Sequence, residues 1–278
     1  MKRSTRRGLT LVEVLIVIAI IVVLYALLLQ VMSLGQRRTA HSVYCTYNLK
    51  QIILAINAHA SMGKTNPGPS KGAPESREEF LPTGCVGPGK IAEERLSWMV
   101  TILPYLEADS VYQTFQLDKG FGENLQASRT RIKDYLCPNL PSGNKNNFNT
   151  TYFAMAGIGS GAPSQPAGAP GNGFMGYDRL TTLGMIKDGT STTIAIMETR
   201  SNMGPWAQGG SSNLRGFDPT DLPLFGDQRP LGGHTGGMYT AWADCSVRFL
   251  RSQVNPKILS AAITIDGGES VDHIQLDQ

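Results

Sequence analysis

The 278-residue sequence has little charge. Asp, Glu, Lys and Arg make up 17% of it, and 25 cations against 22 anions leave a formal charge of +3. Even that excess is local: Met1 to Gly8 hold Lys2, Arg3, Arg6 and Arg7 and no anion, and removing those four from +3 leaves −1 after Gly8. The basic face that phosphate neutralisation demands is missing, so nucleic acid is not an expected partner. No C-x-x-C pair exists among Cys45, Cys85, Cys137 and Cys245, which argues against a zinc site, and no metal ligand set is expected. Gly157-x-Gly159-x-Gly161 does not lie between a strand and a helix as a nucleotide loop must. Asp188, Asp244 and Asp266 lack the alternating acidic spacing of a dedicated calcium loop, and turn capping accounts for them. No cofactor is expected; Ca²⁺ is the one ion that such oxygen-rich turns leave open. Apolar residues are not scarce. At 41% they suffice for a core, which argues against disorder, and the length allows one large domain or two small ones. The 31 Gly and 16 Pro imply a loop-rich body.

The longest charge-free stretch follows the basic octet. After Leu9-Thr10-Leu11-Val12-Glu13, Val14 to Leu29 carry no charge and no strong breaker. Leu9 to Met32 makes 24 residues, about 36 Å as a helix, enough for a hydrocarbon core of about 30 Å. The run is long and no Ala-x-Ala-like site follows it, unlike a removed secretory signal. The basic flank keeps the N-terminus cytoplasmic, with the rest of the chain beyond the membrane. Glu13 stands out, because a carboxylate inside a spanning helix costs on the order of 3 kcal/mol unless it is paired or reaches the interface.

A basic leader ending in Gly8, a hydrophobic residue at Leu9, a carboxylate at the fifth position counted from Leu9, Glu13, and about sixteen apolar residues form a specific conjunction. It resembles the class III signal of type IV pilins and type II secretion pseudopilins. The resemblance implies that a prepilin peptidase cuts after Gly8 and methylates the new N-terminus at Leu9, where the family most often has Phe. It also implies that Glu13 pairs with such an amine on a neighbouring subunit.

Beyond Arg37-Arg38, expected in the aqueous region, apolar residues recur three and four apart at Val43, Leu49, Ile52, Ile53, Ile56 and Ala60. Gly63 and Asn66-Pro67-Gly68-Pro69 end the pattern. One helix of about fifty residues is expected, in lipid over 9–32 and against a head over 33–63. Pro67–Pro88 reads as an exposed connection, Leu96–Glu107 as a packed helical segment with Trp98 and Tyr105 as core anchors, and Asn144–Asn149 and Gly157–Gly173 as loops. The turn Asp188-Gly189-Thr190-Ser191 leads into a β-branched strand, Thr192–Glu198, and Met238–Ala243 with Val247–Leu250 reads as a hairpin around Asp244-Cys245. The expected fold class is α+β and pilin-like: a long N-terminal helix on a mostly antiparallel sheet, with loop-rich insertions, the head covering 64–278.

Five blocks in order sharpen this: Cys45-x-x-Asn48-Leu49-Lys50-Gln51-Ile52; Leu103-Pro104-Tyr105-Leu106-Glu107; Tyr135-Leu136-Cys137-Pro138; Asp188-Gly189-Thr190-Ser191; and His234, nine residues, Asp244, then Ser246-Val247-Arg248-Phe249-Leu250. The series, from about Arg7 to Gly268, resembles a bacterial prepilin-like family with an uncharacterised periplasmic domain and a C-terminal H-x9-DG motif. The resemblance implies architecture rather than an activity. Cys245 departs from the family's Gly, at a position whose turn needs positive φ and costs a side chain about 1 kcal/mol or more; a disulfide is one way to hold it there. Four cysteines beyond the membrane allow three pairings. The resemblance, in which Cys45 and Cys137 hold family positions, implies Cys45–Cys137 and leaves Cys85 for Cys245.

Of the four histidines (His41, His59, His234, His273), His41 and His59 are too far apart along a helix to share an ion. A hydrolase would need His234, Asp244 and Ser246, but Ser246 lies in no G-x-S-x-G elbow and shares one turn with Asp244, a poor geometry for catalysis. His234 is expected instead to hydrogen-bond the Asp244 turn and lock the hairpin. The expected role is non-enzymatic: a pilin- or pseudopilin-like subunit of the inner membrane, whose partners are the prepilin peptidase, other such subunits, the assembly machinery and the bilayer. The alternative is a membrane-anchored periplasmic binding module that uses the signal only for targeting, with Trp98, Trp206 and Trp242 as aromatics that could serve a ligand.

Overall fold

The computed structural model describes residues 11–62, 79–139, 148–226 and 229–269, without the side chains of 27–41. The leader with Gly8, Leu9, the Arg37-Arg38 and His41 side chains, His273, most of the Pro67–Pro88 connection and residues 144–147 lie outside that description. Helix α1 runs over Leu11–Ser61, and the chain divides into two compact units, Met1–Val43 and Tyr44–Gln278.

In the first unit, the side chains from Leu11 to Tyr25 point outward around the whole circumference, with Val14 at 45% and Leu11 at 76% exposure. Among the described residues no helix is long and apolar enough to cross a membrane. The stretch with described side chains, Leu11–Ala26, is sixteen residues, about 24 Å at helical rise, and the expected span over 9–32 reaches beyond it at both ends.

The second unit is built on a five-stranded sheet. Two short strands, β1 (Cys85–Val86) and β2 (Leu96–Ser97), pair with each other. Three single-turn helices follow, α2 (Trp98–Thr101), α3 (Asp109–Tyr112) and α4 (Leu125–Ser128). Then come β3 (Tyr152–Ile158), β4 (Ile194–Glu198), β5 (Leu214–Phe217), β6 (Gly237–Trp242), β7 (Val247–Arg251) and helix α5 (Pro256–Ile263). The sheet order is β5-β3-β4-β6-β7. β3/β4, β4/β6 and β6/β7 are antiparallel, and only β5 runs parallel to its neighbour β3.

Strand alternation gives the sheet two apolar faces. Tyr152, Ala154 and Ala156 of β3 join Leu49, Ile52, Ile53 and Ile56 of α1 in one core, with Trp98, Tyr135 and Ile196. Phe153 and Met155 of β3 join Ile194, Met197, Met238 and Trp242 with Leu259 and Ile263 of α5 in the other. From Leu49 to Ala60 the three-and-four spacing is therefore the stripe packed in the head's core, whereas Val43, the first residue of the expected pattern, is exposed. Helix α5 starts where Asn255 Oδ1 accepts the Lys257 N–H at 2.9 Å and Pro256 takes the first helical position, an N-cap with a proline that gives up no bonded donor.

Leu96–Glu107 is not the single helix expected. Leu96-Ser97 is taken into pairing with β1, α2 lasts four residues and a 3₁₀ turn covers Leu103–Tyr105. Pro104 offers no N–H to a continuing helix, and Ser97 Oγ already caps α2 by accepting the Met99 N–H at 3.2 Å. Trp98 and Tyr105 do pack with the core. The glycine-rich stretch after β3 is stitched by one side chain. The Arg179 guanidinium donates to the carbonyls of Ala156, Gly173 and Met175 at 2.6 to 3.2 Å and to Asn172 Oδ1 at 2.7 Å, and burial lowers its pKa to about 10. Gly157 has φ +128, and a Cβ there would lie 2.1 Å from the Gly171 carbonyl oxygen, so this glycine serves a strand end rather than a nucleotide loop.

Candidate functional site

Two regions carry the candidate functional residues, one in each unit. In the first, Glu13 occupies the first turn of α1, the end at which unsatisfied N–H groups and the helix dipole favour an anion. It is the only charged residue among the apolar side chains of Leu11–Ala26.

In the second, the Cys-x-x-Asn-x-Lys block of α1 shows what its spacing is for. Cys45 forms a disulfide with Cys137, which closes 92 residues of sequence. Asn48 Nδ2 donates to the Leu136 carbonyl at 2.9 Å, and Lys50 Nζ donates to the Cys245 carbonyl at 2.8 Å. One turn and a half of helix thus grips two remote loops by a covalent bond and two hydrogen bonds. Cys137 is held from its other side by Thr151, whose Oγ1 accepts the Cys137 N–H at 2.7 Å.

Cys85 and Cys245 do not pair; both are free thiols. Cys85 is buried in β1 beside Gly209 and the Ala92 carbonyl, and desolvation pushes its thiol up to about 12 although Arg95 pulls the other way. Cys245 lies in the β6–β7 turn, on α1's Lys50. It keeps the positive φ expected of the family's Gly, at +66. Hydrogen bonds rather than a disulfide hold it there. The Cys245 N–H donates to the Trp242 carbonyl at 2.9 Å, the Trp242 N–H to the Ser246 carbonyl at 2.9 Å, and the Ser246 N–H to Asp244 Oδ1 at 2.8 Å. This is a three-residue hairpin loop with its last residue in the left-handed region.

His234 does not lock that turn. It stands before β6 and Asp244 stands after it, so six extended residues, roughly 20 Å at about 3.3 Å each, separate them. Asp244 instead caps Ser246 and faces Arg248 at 3.6 Å. His234 belongs to the disulfide. Its Nε2 lies 3.6 Å from Cys137 Sγ and 3.4 Å from Glu198 Oε1, its Nδ1 is 3.4 Å from Asn139 Nδ2, and its ring meets the edge of Tyr239 at 4.9 Å. Glu198, at the end of β4, is wholly buried, and its Oε2 accepts the Tyr239 N–H at 2.7 Å. Glu198 and Asn139 were not singled out from the sequence. The available signal was a carboxylate ending a β-branched apolar strand, a position that needs partners when buried.

Asp188 does turn work: its carboxylate accepts the Gly267 and Gly268 N–H groups at 2.7 and 2.9 Å, and Asp266 pairs with Lys187 at 2.6 Å. Trp98, Trp206 and Trp242 are each buried to 1% or less. Trp98 and Trp206 spend their N–H groups on the carbonyls of Asn213 and Thr130, so neither presents a face to a ligand.

Residues 36–217 match the family model described as "Protein of unknown function (DUF1559)", about two-thirds of the chain. The chain belongs to this family. The DUF1559 match contains Cys45, Asn48, Lys50, Cys137 and Glu198 and ends before His234 and the Asp244 turn. Residues 3–29 match the prokaryotic N-terminal methylation motif, which spans Gly8, Leu9 and Glu13. The DUF1559 domain is therefore carried by a prepilin-type, processed chain, and the motif is that of a membrane-anchored protein with an exported domain. No curated protein and no solved structure matches the sequence.

Proposed function

We propose that the processed protein is a non-enzymatic structural subunit, held in the inner membrane with its head in the periplasm and drawn from there into a pilus-like or pseudopilus filament. The observation that carries this reading is the N-terminal part of α1: apolar side chains on every face, one carboxylate in the first turn, and a methylation motif over the same residues. Such a surface is at home in lipid and equally at home in a bundle of its own kind. Transfer between the two is close to neutral, so packing and the Glu13 partner decide the balance. Cleavage after Gly8 by a prepilin peptidase removes four cations and creates an amine at Leu9, the natural counter-charge for a neighbour's Glu13. In this role the head's disulfide and buried polar pairs keep the second half of α1 docked while the helix is pulled.

Mass spectrometry of the mature chain should find a methylated Leu9 as the first residue. Glu13→Ala should leave the chain membrane-bound and folded but absent from sheared surface filaments or cross-linked oligomers. Unchanged assembly in that variant would count against the Glu13 pairing, and absence of the wild-type chain from such filaments would leave targeting as the task of the signal, with the head as an anchored binding module.

A further inference from the structure

We propose that the dithiol form of this protein holds a zinc-class divalent cation between Cys45, Cys137, His234 and Glu198, so that metal and disulfide are alternative clamps at one place. The four ligand atoms lie within 4.8 Å of one another. Zinc bonds of about 2.3 Å to sulfur and 2.0–2.2 Å to nitrogen and oxygen set tetrahedral ligand-to-ligand separations of roughly 3.4–3.8 Å. His234 Nε2 already stands 3.6 Å from Cys137 Sγ and 3.4 Å from Glu198 Oε1. The two sulfurs, joined in the disulfide, are closer than that, and reduction releases them. Glu198 Oε1 gives the second, independent indication. It belongs to a fully buried carboxylate and meets His234 Nε2 at 3.4 Å without a hydrogen bond among the described residues, an arrangement with a desolvation cost that a cation held between the two would offset. The ligands come from α1, the loop after Tyr135, the end of β4 and the loop before β6, and for that reason no C-x-x-C spacing announces them.

Four protein ligands with no open position make a closed, structural site. Binding takes one proton from each thiol and leaves both sulfurs as thiolates on the ion. Oxidation by a small disulfide moves two electrons from the two thiolates to that oxidant, whose S–S bond breaks and which leaves as two thiols after taking two protons from water; the Cys45–Cys137 bond forms and the ion departs. Coordination through Nε2 puts the imidazole proton on Nδ1, which stands 3.4 Å from Asn139 Nδ2; Asn139 keeps its bond to the Gly233 carbonyl at 2.7 Å, so the ring must shift off Asn139 as the ion binds. A cavity of about 250 Å³ lined by Tyr44, Asn48, Lys133 and Cys137 adjoins the cluster on the Cys137 side.

The full-length chain in detergent, reduced with a phosphine and desalted without oxygen, should bind one equivalent of Co²⁺ with the visible bands of a tetrahedral ion and a thiolate-to-metal band. The oxidised chain should bind at least about 100-fold more weakly, and His234→Ala and Glu198→Gln should each weaken binding by at least the roughly 10–100-fold seen on loss of outer partners, while their disulfide still forms. Zn²⁺ should slow oxidation of the wild-type dithiol by glutathione disulfide. The proposal is overturned if the reduced chain shows no thiolate band. The same holds if the band persists in Cys45→Ser/Cys137→Ser, which retains Cys85 and Cys245, or if reduction abolishes the near-ultraviolet dichroism and Co²⁺ does not restore it.

Discussion

The two ends of helix α1 are both apolar, and they solve different problems. From Leu11 to Tyr25 every face carries Leu, Ile or Val, all exposed. From Tyr44 onward the apolar residues fall into register, so that Cys45, Leu49, Ile52, Ile53, Ile56 and Ala60 are fully buried while Tyr47, Lys50 and Leu54 look outward. A sheet can cover one stripe of a helix and no more. The second stretch is therefore completed within the chain, whereas the first can be completed only by surroundings that are apolar all round, whether lipid or other copies of itself. Hydrophobicity alone does not separate the two. Its angular distribution does.

That contrast makes graded expectations for the stability of the head. The largest effect should come from the disulfide, since Cys45→Ser with Cys137→Ser frees a 92-residue loop, worth about 4–5 kcal/mol in chain entropy; chemical denaturation of the detergent-solubilised chain measures it. A loss below about 1 kcal/mol would mean that packing alone holds the second stretch of α1. Next, Ile52→Ala should destabilise the head by about 2–5 kcal/mol, while Ile20→Ala should leave the same unfolding transition within about 0.5 kcal/mol. Equal losses at the two sites would erase the distinction drawn here. Cys245→Gly should raise stability by about 1 kcal/mol, because glycine takes the left-handed conformation without a Cβ penalty and the Lys50 bond to the carbonyl is untouched. The smallest effect is chemical. Both free thiols are raised by burial, Cys85 to about 12, so Cys85 stays neutral until pH climbs toward that value. Alkylation of the folded chain at pH 8 should mark Cys245, which is half-exposed, well ahead of Cys85, read by peptide mass mapping; the reverse order would contradict the burial of β1.

Much of this was legible before any coordinates. Gly8, Leu9 and Glu13 announce a processing signal because the membrane imposes strong, local rules on charge and length. The stripe in the second half of α1, the strand ending at Glu198 and the β6–β7 hairpin follow from periodicities of 3.6 and 2. The turn at Cys245 was read from a substitution against the family's Gly, and the strain is there at φ +66, although hydrogen bonds and Lys50 carry it. Other features were opaque. Spacing along the chain points His234 to Asp244, ten positions on, whereas β6 holds the two apart and β4 brings Glu198 across. The resemblance leaves Cys85 for Cys245, but Cys85 is committed to β1 and Cys245 to the hairpin turn, and both stay free. Leu96–Glu107 had a helical composition, yet pairing with β1 and Pro104 divided it.

By itself, then, the sequence determined what each stretch of backbone would do and which end of the chain meets the membrane, because those outcomes depend on residues within a turn or two of one another. Only the tertiary structure decided which side chains face one another. The gathering of Cys45, Cys137, Glu198 and His234 depends on how the strands order themselves and on which face of α1 meets the sheet, a balance of burial summed over the whole head that no local spacing records.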